Sequence, residues 1–307
     1  MTLNARPYKD ADDLELMKEL LRAAKRQHPC SGMHIGDLDW WVYYDTSGIP
    51  LQDKVRLWFE GEQLVAWAWV RLTDGEYDLF VHPAYHGTPQ EETVLTQTVD
   101  EFSTYLRQSA RTGAGQPQLT IYINENEPTQ MALLERLGFS HSAFLIAFMQ
   151  DIRGPLPTPA LPDGFTFLER VEPEDAERRA LAHKDAFQPT SKMTPDYYRA
   201  LMNAPVYDPA LDIAVAGPDG SIVSFALCWV DAANRLGLFE PVGTRYAFHR
   251  RGLGKAVLLE GLRRLQGRGV ETALVSCHAD KPGNVIFYQS AGFQICNRVL
   301  AFTRLLD

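Results

Sequence analysis

Residues 239–256 hold the side chains and the spacing that most directly suggest chemistry. A strand-like run leads into a loop with arginines and glycines, and the loop opens an amphipathic helix. The first turn of a helix offers unpaired N–H groups and a partial positive charge, glycine lets a phosphate approach the main chain, and Arg and Lys add cationic donors. The pattern predicts a cradle for a pyrophosphate, although a basic helix start after a glycine turn would look alike. The candidate cradle residues are Arg250, Arg251, Gly252, Leu253, Gly254 and Lys255.

This junction resembles the signature of the GNAT superfamily of N-acetyltransferases, Gln/Arg-x-x-Gly-x-Gly/Ala, which residues 249–254 match except that His249 stands first. A second family element is an Asn-containing turn, then a helix with a Tyr, then Gly-Phe. Residues 281–293 match it: Tyr288 is in place, whereas Lys281 holds the usual position of the Asn and Asn284 lies four residues before the Tyr. The resemblance covers nearly all of residues 160–307 and, weakly, residues 55–150.

The resemblance implies acetyl-CoA as co-substrate, no metal, and direct transfer of the acetyl group to an amine without a covalent acyl-enzyme. Such a reaction deprotonates an ammonium, stabilises an oxyanion and protonates a departing thiolate. By the resemblance, Tyr288 is the general acid and Glu240 the base, acting through water. The alternatives are a Tyr288 that packs as a core aromatic and a Glu240 that is a structural carboxylate at a strand end. The N–H groups around Val242, Gly243 and Thr244 would bind the oxyanion and the pantetheine arm, and Asn284 would contact the coenzyme.

The chain reads as two diverged copies of one unit joined by a proline-rich segment. Residues 152–164 contain four prolines and two glycines, which cannot sustain a helix or an interior strand. A helix ending at Gly-Phe recurs at residues 133–139 and 287–293, with the glycine suited to a left-handed cap. This landmark repeats at an offset of 154 residues, and a strand hairpin repeats at roughly 158, which indicates duplication. We predict a degenerate GNAT-like domain at 1–151, a linker at 152–164 and a catalytic, acetyl-CoA-binding GNAT domain at 165–307.

The first copy lacks the cradle. Its matching stretch, residues 79–92, has neither Gly-x-Gly nor arginine, and Glu91 and Glu92 stand where a phosphate should bind and would repel it. Leu134 holds the position of the tyrosine. We therefore expect this copy to be a scaffold or a wall of the acceptor site, with His82 and His86 as relics of a lost loop.

The elements that position these residues form an α/β pattern with a mixed sheet (α+β in that sense). The expected architecture is two tandem GNAT-like domains, each a mixed central sheet flanked by helices, similar to the tandem type of the family that includes mycothiol synthase. Apolar residues at helical spacing, Leu14, Met17, Leu20 and Leu21, predict an early helix. In the second half we expect strands at 165–170, 236–244, 272–278 and 295–305 and helices at 254–266 and 284–291.

Composition narrows the function classes. The 307 residues are 45% hydrophobic and 22% charged, which is typical of a globular chain long enough for two domains. The formal net charge of -9 argues against nucleic acid as a partner, and no apolar run approaches the roughly 18 residues of a membrane span. The acidic N-terminal stretch favours a cytoplasmic protein over a secreted one, so the four cysteines are expected to be reduced.

Two further clusters admit alternative readings. His28, Cys30 and His34 lie close together, but no fourth metal ligand is evident, which favours loop residues near the mouth of the site. Trp40 and Trp41 either line an acceptor pocket or pack in the core, and core packing is the favoured interpretation.

The sequence thus predicts an acetyl-CoA-dependent N-acetyltransferase that modifies a primary amine, preferably of a small molecule, and that has no membrane partner. The alternatives are a protein or peptide N-acetyltransferase, an enzyme that uses a longer acyl-CoA, and a non-enzymatic acetyl-CoA sensor or scaffold. Duplication could supply internally the pairing that single-domain relatives obtain by dimerising, which favours a monomer.

Overall fold

The structure is a computed structural model that describes residues 3–45, 47–71, 75–110 and 118–306. In this part of the chain, helices and strands alternate as an α/β protein requires. The helices are α1 (Ala11–Gln27), α2 (Ile35–Tyr43), α3 (Leu51–Lys54), α4 (Pro89–Ala110), α5 (Pro128–Arg136), α6 (Ala176–Ala186), α7 (Pro195–Leu201), α8 (Leu253–Gly267) and α9 (Pro282–Ser290).

The strands are close to those expected from the sequence, except that the strand expected at 165–170 spans two residues. They are β1 (Asn4–Pro7), β2 (Val55–Glu60), β3 (Gln63–Arg71), β4 (Glu76–Val81), β5 (Gln118–Asn124), β6 (Ser140–Asp151), β7 (Thr166–Phe167), β8 (Asp212–Ala216), β9 (Ile222–Asp231), β10 (Leu236–Thr244), β11 (Thr272–His278) and β12 (Gln294–Leu305).

All twelve strands join one mixed sheet, in the order β1-β2-β3-β4-β5-β12-β6-β11-β10-β9-β8-β7. The prediction of an α/β fold with a mixed sheet is therefore confirmed. Most neighbours are antiparallel, whereas β4–β5 and β10–β11 are parallel. These two parallel pairs occupy matching places in the two halves, which is the arrangement that two copies of one unit produce.

The two halves exchange their last strands at the centre of the sheet. The strand that ends the first half, β6, pairs with β11 of the second, from Leu145 opposite His278 to Asp151 opposite Thr272. The last strand of the chain, β12, pairs with β5 of the first half and also with β6. Residues 152–164, all described, form no helix or strand and follow directly after β6. Because of the exchange, each half of the sheet contains a strand from the other half of the chain. The domain limits predicted from the sequence therefore stay a prediction.

The repeat is visible in local geometry. Helices α5 and α9 each begin at a proline and end before a glycine with positive φ, Gly138 at 83° and Gly292 at 106°. The N–H groups of Phe139 and Phe293 then donate to the carbonyls of Leu134 and Tyr288, both within about 3.2 Å. The expected left-handed glycine caps are present, and Leu134 occupies the place of Tyr288.

Helices cover both faces of the sheet. In the second half, α8 and α9 pack over one face around Phe239 and Val275, while α6 and α7 cover the other around Phe225 and Trp229. In the first half, α4 and α5 cover one face and α1 the other, with the predicted residues of α1 buried. No helix among the described residues combines the length and the apolar character that crossing a membrane requires.

Helix α2 of the first half lies on the second half. It packs against β9 and β10 and against α7. A Cβ added at Gly36 would come within 2.3 Å of the Cβ and Cγ atoms of Trp229, so the helix main chain rests directly on that indole. A buried ion pair from Lys18 Nζ to Asp39 Oδ1, 2.8 Å long, joins α2 to α1. The first half therefore contributes an element to the surface of the second.

The cysteines differ from expectation. Cys30, just before α2, forms a disulfide with Cys296 on β12, 266 residues away, whereas Cys228 and Cys277 are free and buried. The expectation that all four are reduced is wrong for this pair. The exchange of strands brings β12 beside the first half, and the side-chain amide of Asn297 donates to the carbonyl of Cys30 at 3.2 Å. Two cysteines far apart in sequence become neighbours in this way.

Candidate active site

The candidate site opens where β10 and β11 separate. These parallel strands pair only from Leu236 opposite Thr272 to Phe239 opposite Val275. Beyond Phe239, the edge of β10 that faced β11 has no strand partner among the described residues. On its other side, the pairing with β9 shifts between Phe239 and Val242, which is a β-bulge that contains Glu240. The bulge and the separation together place Glu240 at the apex of a V-shaped opening.

The main chain after the bulge presents donors to this opening. Arg245 N–H donates to the carbonyl of Val223 on β9, 2.9 Å. Because the N–H groups of a strand alternate in direction, those of Arg245 and Gly243 face β9, and those of Val242 and Thr244 face the opening. Gly243 itself is required by packing, since a Cβ there would lie 2.5 Å from Cζ of Phe225.

The loop after β10 has the geometry of an anion cradle. A short 3-10 turn, Tyr246–Phe248, is followed by Arg250 with φ 59° and Gly252 with φ 80°, after which α8 begins at Leu253. A Cβ on Gly252 would meet nothing within 4 Å, so the approach to its main chain is open. A Cβ on Gly254 would lie 3.2 Å from the ring of Phe287. The loop therefore exposes the first N–H groups of a fifteen-residue helix.

The side chains around the cradle fall into two groups. Leu253 is buried in the core, so only its main chain can reach a ligand. The side chains of Arg250, Arg251 and Lys255 are exposed at the start of α8, where they add positive charge to that of the helix end.

His249, the departure from the family signature, has a structural role. Its Nε2 lies 2.9 Å from the carbonyl oxygen of Thr244, which ties the loop back to the end of β10. A second tie comes from Asp185 on α6, which accepts from Arg245 Nε at 2.9 Å and from the Tyr246 N–H at 3.2 Å. The loop is thus held from both sides.

Tyr288 faces the same opening from α9. Its ring packs with those of Phe148, Phe287 and Phe293 at centroid distances of 5.1–6.1 Å, and only 7% of the residue is exposed. Burial, and secondly the charge of Glu240, raise the pKa of the Tyr288 phenol well above its ordinary value. The phenol therefore holds its proton at neutral pH, which a general acid requires. Tyr288 is thus a packed aromatic whose phenol keeps its proton and responds to the charge of Glu240, and its role as general acid stays a prediction.

Asn284, the predicted coenzyme contact that precedes Tyr288, lies at the start of α9. It is exposed on the first turn of α9, where its N–H donates to the carbonyl of Lys281 at 2.9 Å. Its side chain points to no group that fixes it among the described residues.

Glu240 has the titration behaviour of a base for neutral to alkaline pH. Burial, and secondly the charge of Asp37, raise the pKa of its carboxyl to about 8. The side chain is half-buried at the V-shaped opening. A base with a pKa near the working pH combines a large fraction in the active form with a strong affinity for a proton.

Asp37 is a functional candidate that sequence reasoning missed. It follows Gly36 on α2, and its Oδ2 accepts the N–H of His34 at 2.9 Å in a capping box. Burial raises the pKa of its carboxyl to about 6, against the effects of that hydrogen bond and of Lys25. From the sequence alone, a His-x-x-Asp spacing predicts a helix cap. It gives no sign that the charge of Asp37 acts on Glu240. Both carboxyl groups are half-buried, and Asp37 of the first half is near enough to Glu240 of the second for its charge to raise the pKa of that carboxyl.

The other candidate clusters have structural roles. Cys30 is in the disulfide, His28 Nδ1 accepts the Cys30 N–H at 3.2 Å, and His34 Nδ1 accepts the Gly36 N–H at 3.0 Å. Trp40 stacks on His183 of α6 at 5.9 Å and Trp41 packs on Trp69 at 5.6 Å. Both tryptophans therefore belong to the packing between elements, as the sequence favoured.

The first half fills its corresponding cradle from within. The Glu91 side chain, 2% exposed, accepts the N–H of Gly87 through one oxygen and the side-chain amide of Gln130 through the other, each at 2.7 Å. The cavity that remains between α1, β4 and β5 measures about 50 Å³. That volume is far below the roughly 300 Å³ or more of a typical ligand pocket.

Known proteins resemble this chain in sequence and in fold. Residues 179–293 match the model of the family described as "Acetyltransferase (GNAT) family". A protein of Streptomyces coelicolor named mycothiol acetyltransferase is 28% identical over 252 residues, covering 77% of this chain and 75% of its own. Among solved structures, a GCN5-related N-acetyltransferase from Sphaerobacter thermophilus superposes with a TM-score of 0.70 at 21% identity, covering 99% and 96% of the two chains.

The tandem arrangement is shared as well. A tandem GNAT protein from the clavulanic acid biosynthesis pathway superposes with a TM-score of 0.69 at 14% identity and covers 100% of this chain and 99% of its own. These likenesses establish the fold, and the family match falls on the half that carries the open cradle. Residues 179–293 therefore form a domain of the acetyltransferase (GNAT) family, in a chain whose overall fold is that of a tandem GNAT protein.

Proposed function

We propose that the chain is an acetyl-CoA-dependent N-acetyltransferase that modifies the primary amine of a small molecule by direct attack in a ternary complex. The observation that carries this proposal is the convergence of Glu240, Tyr288 and the cradle at one opening. Glu240 and the cradle lie at either end of the same bulged strand segment, and Tyr288 faces them from α9.

In the proposed reaction, Glu240 accepts a proton, through water, from the ammonium of the acceptor. The free amine then attacks the thioester carbonyl carbon, and the N–H groups of Val242 and Thr244 stabilise the oxyanion. As the C–S bond breaks, Tyr288 donates its proton to the departing thiolate. The nitrogen of the adduct loses its second proton as the amide forms, and that proton returns through water to the Tyr288 phenolate. The products are an N-acetyl amide and free coenzyme A, and the net proton leaves through Glu240.

The co-substrate would be held by the loop and the strand. The main chain from Gly252 to Gly254 and the cations Arg250, Arg251 and Lys255 suit a pyrophosphate. The unpaired edge of β10 suits the amide groups of a pantetheine arm. In the first half the corresponding cradle is occupied by Glu91, so we assign a single acetyl-CoA to each chain.

The acceptor side favours a cation. Asp37 and Glu240 line the opening with two carboxyl groups, one from each half. A small molecule is our choice of acceptor because the relatives of this chain are named mycothiol acetyltransferases, and mycothiol is a small thiol. Asn284, exposed at the start of α9, is assigned as a further contact of the coenzyme. We further propose a monomer, because β6 and β12 pair within the chain, and a cytoplasmic setting, where acetyl-CoA is available.

The test is release of coenzyme A thiol from acetyl-CoA in the presence of a panel of small primary amines. Glu240→Gln should lower kcat by about 100-fold or more, and Tyr288→Phe should lower it as well, while both proteins still bind acetyl-CoA. Glu62→Gln, an exposed carboxylate on the β2–β3 turn, is the control and should behave as wild type. Binding of acetyl-CoA without turnover of any amine or peptide would instead support a sensor.

A further inference from the structure

The indole of Trp229 is bonded to the main chain at the proposed base. Trp229 lies on β9 and is fully buried. Its Nε1–H donates to the carbonyl oxygen of Glu240 at 2.7 Å. This contact joins a side chain of the sheet core to the residue whose carboxylate faces the opening.

The bulge explains why such a bond is needed. The pairing of β10 with β9 runs to Phe239 opposite Cys228 and resumes at Val242 opposite Ala226, so Glu240 and Pro241 have no cross-strand partners in register. Proline has no N–H to donate. A buried carbonyl without a partner is unfavourable, and the indole supplies the donor that the interrupted ladder does not.

Helix α2 of the first half packs against this indole. Gly36 of α2 contacts Trp229 so closely that an added Cβ would lie 2.3 Å from its Cβ and Cγ. Helix α2 is itself fixed by the disulfide of Cys30 at its N-terminal side and by the Lys18–Asp39 ion pair. A continuous path of contacts therefore runs from α2 through Trp229 to the main chain of Glu240.

We propose that Trp229 is a positioning residue for Glu240, and that Gly36 of the first half holds it in place. This inference rests on the proposed role of Glu240 as the base. It gives the first half, whose own cradle is filled by Glu91, a function in the reaction of the second half. Trp229 acts through Glu240 and touches no reacting atom.

The experiment compares two conservative changes, Trp229→Phe and Trp67→Phe. Trp67 is the matched control, because it is also fully buried, lies in the first half, and has an indole N–H without a hydrogen-bond partner among the described residues. Both changes shrink a buried ring, but only Trp229→Phe removes a hydrogen bond from Glu240. The turnover of each variant is measured from pH 6 to 10 with acetyl-CoA and an amine that the wild type acetylates. Thermal melting confirms that each variant is folded.

We expect Trp229→Phe to lower kcat about tenfold and to leave the KM for acetyl-CoA within about twofold, because the cradle lies elsewhere. We also expect it to move the rising limb of the pH–rate profile, which reports the proposed base Glu240, to lower pH. Trp67→Phe should keep the wild-type kcat and limb. Gly36→Ala, which displaces the indole without removing its N–H, should move kcat and the limb in the same direction as Trp229→Phe.

Folded Trp229→Phe protein with wild-type kcat and an unmoved pH limb would overturn the inference, as would an equal effect of Trp67→Phe. These outcomes are distinct from failure of the proposed function. If the proposed function is wrong, the wild-type protein turns over no amine, or Glu240→Gln retains full activity. Either result is independent of the behaviour of Trp229→Phe.

Discussion

Glu91 occupies, in the first half, the place that Gly254 occupies in the second. The two residues are 163 positions apart, as are Val81 and Thr244. His86 and His249, also 163 apart, each place Nε2 about 3 Å from the carbonyl oxygen of that strand-end residue. Where the second half has a glycine in the proposed phosphate cradle, the first half supplies its own carboxylate to a loop N–H.

The first prediction concerns this internal carboxylate. Glu91→Ala leaves the N–H of Gly87 and the amide of Gln130 without their acceptor inside the protein, so the free energy of unfolding should fall by about 2–3 kcal/mol. Urea denaturation measures this change. Glu92→Ala is the control: its exposed ion pair with Arg136 should contribute less than about 1 kcal/mol. Equal stability of the two variants would refute the buried contact.

The second prediction concerns pH. With the pKa of Glu240 raised to about 8, kcat/KM should rise with pH through that value and level off above it. Glu240→Gln should remove this limb along with most of the activity. A limb near pH 4.5, the ordinary value for the group, would show that Glu240 is exposed to water and acts differently.

The same shift has a consequence for stability. Because the native carboxyl keeps its proton to higher pH than the unfolded chain does, Glu240 contributes stability that is complete below pH 4.5 and is lost as pH rises through about 8. Glu240→Gln should therefore lose less stability than wild type between pH 5 and 9. Chemical denaturation at several pH values measures the difference, and parallel curves for the two proteins would contradict it.

The third prediction concerns the cradle. Gly254→Ala puts a Cβ 3.2 Å from the Phe287 ring and 3.5 Å from Thr244 Oγ1. This contact should displace the first turn of α8 at the proposed cradle, so the KM for acetyl-CoA should rise about tenfold, which is roughly 1.4 kcal/mol. Gly267→Ala is the matched control on the same helix, because a Cβ there meets nothing within 4 Å. Steady-state kinetics with varied acetyl-CoA separate the two. An unchanged KM in Gly254→Ala would remove this residue from the coenzyme site.

The fourth prediction concerns the disulfide. Alkylation of denatured, unreduced protein should modify two thiols, Cys228 and Cys277, and alkylation after reduction should modify four. The double change Cys30→Ser and Cys296→Ser should lower the free energy of unfolding by as much as about 5 kcal/mol, because the bridge closes a very long loop. Dithiothreitol should destabilise wild type and leave the double variant unaffected. Four reactive thiols before reduction would show that the bridge is absent.

Patterns that are local in sequence predicted the parts of the site that are local in structure. The cradle of residues 250–255, the glycine cap at Gly292 and the strand at Thr272–His278 depend on neighbours within a few positions. The equivalence of Leu134 and Tyr288 followed from a helix that is repeated almost unchanged. Whether the assigned residues act as proposed stays a prediction.

What the sequence did not predict depends on contacts between distant segments. The exchange of β6 and β12 has no local signature, because an extended strand can pair with many partners. The Cys30–Cys296 bridge follows from that exchange. Asp37 was missed because, within its own helix, it is fully explained as a cap. Only the packing of α2 on Trp229 brings it to Glu240.

Calorimetric titration of the purified protein with acetyl-CoA tests most directly whether the second half alone is the working acetyltransferase domain. We expect one site per chain, lost when Gly252 and Gly254 are both replaced by bulky residues and retained in Glu240→Gln. Two sites would contradict the filled cradle at Glu91. No binding to folded protein would contradict the assignment of the cradle, and with it the proposed function.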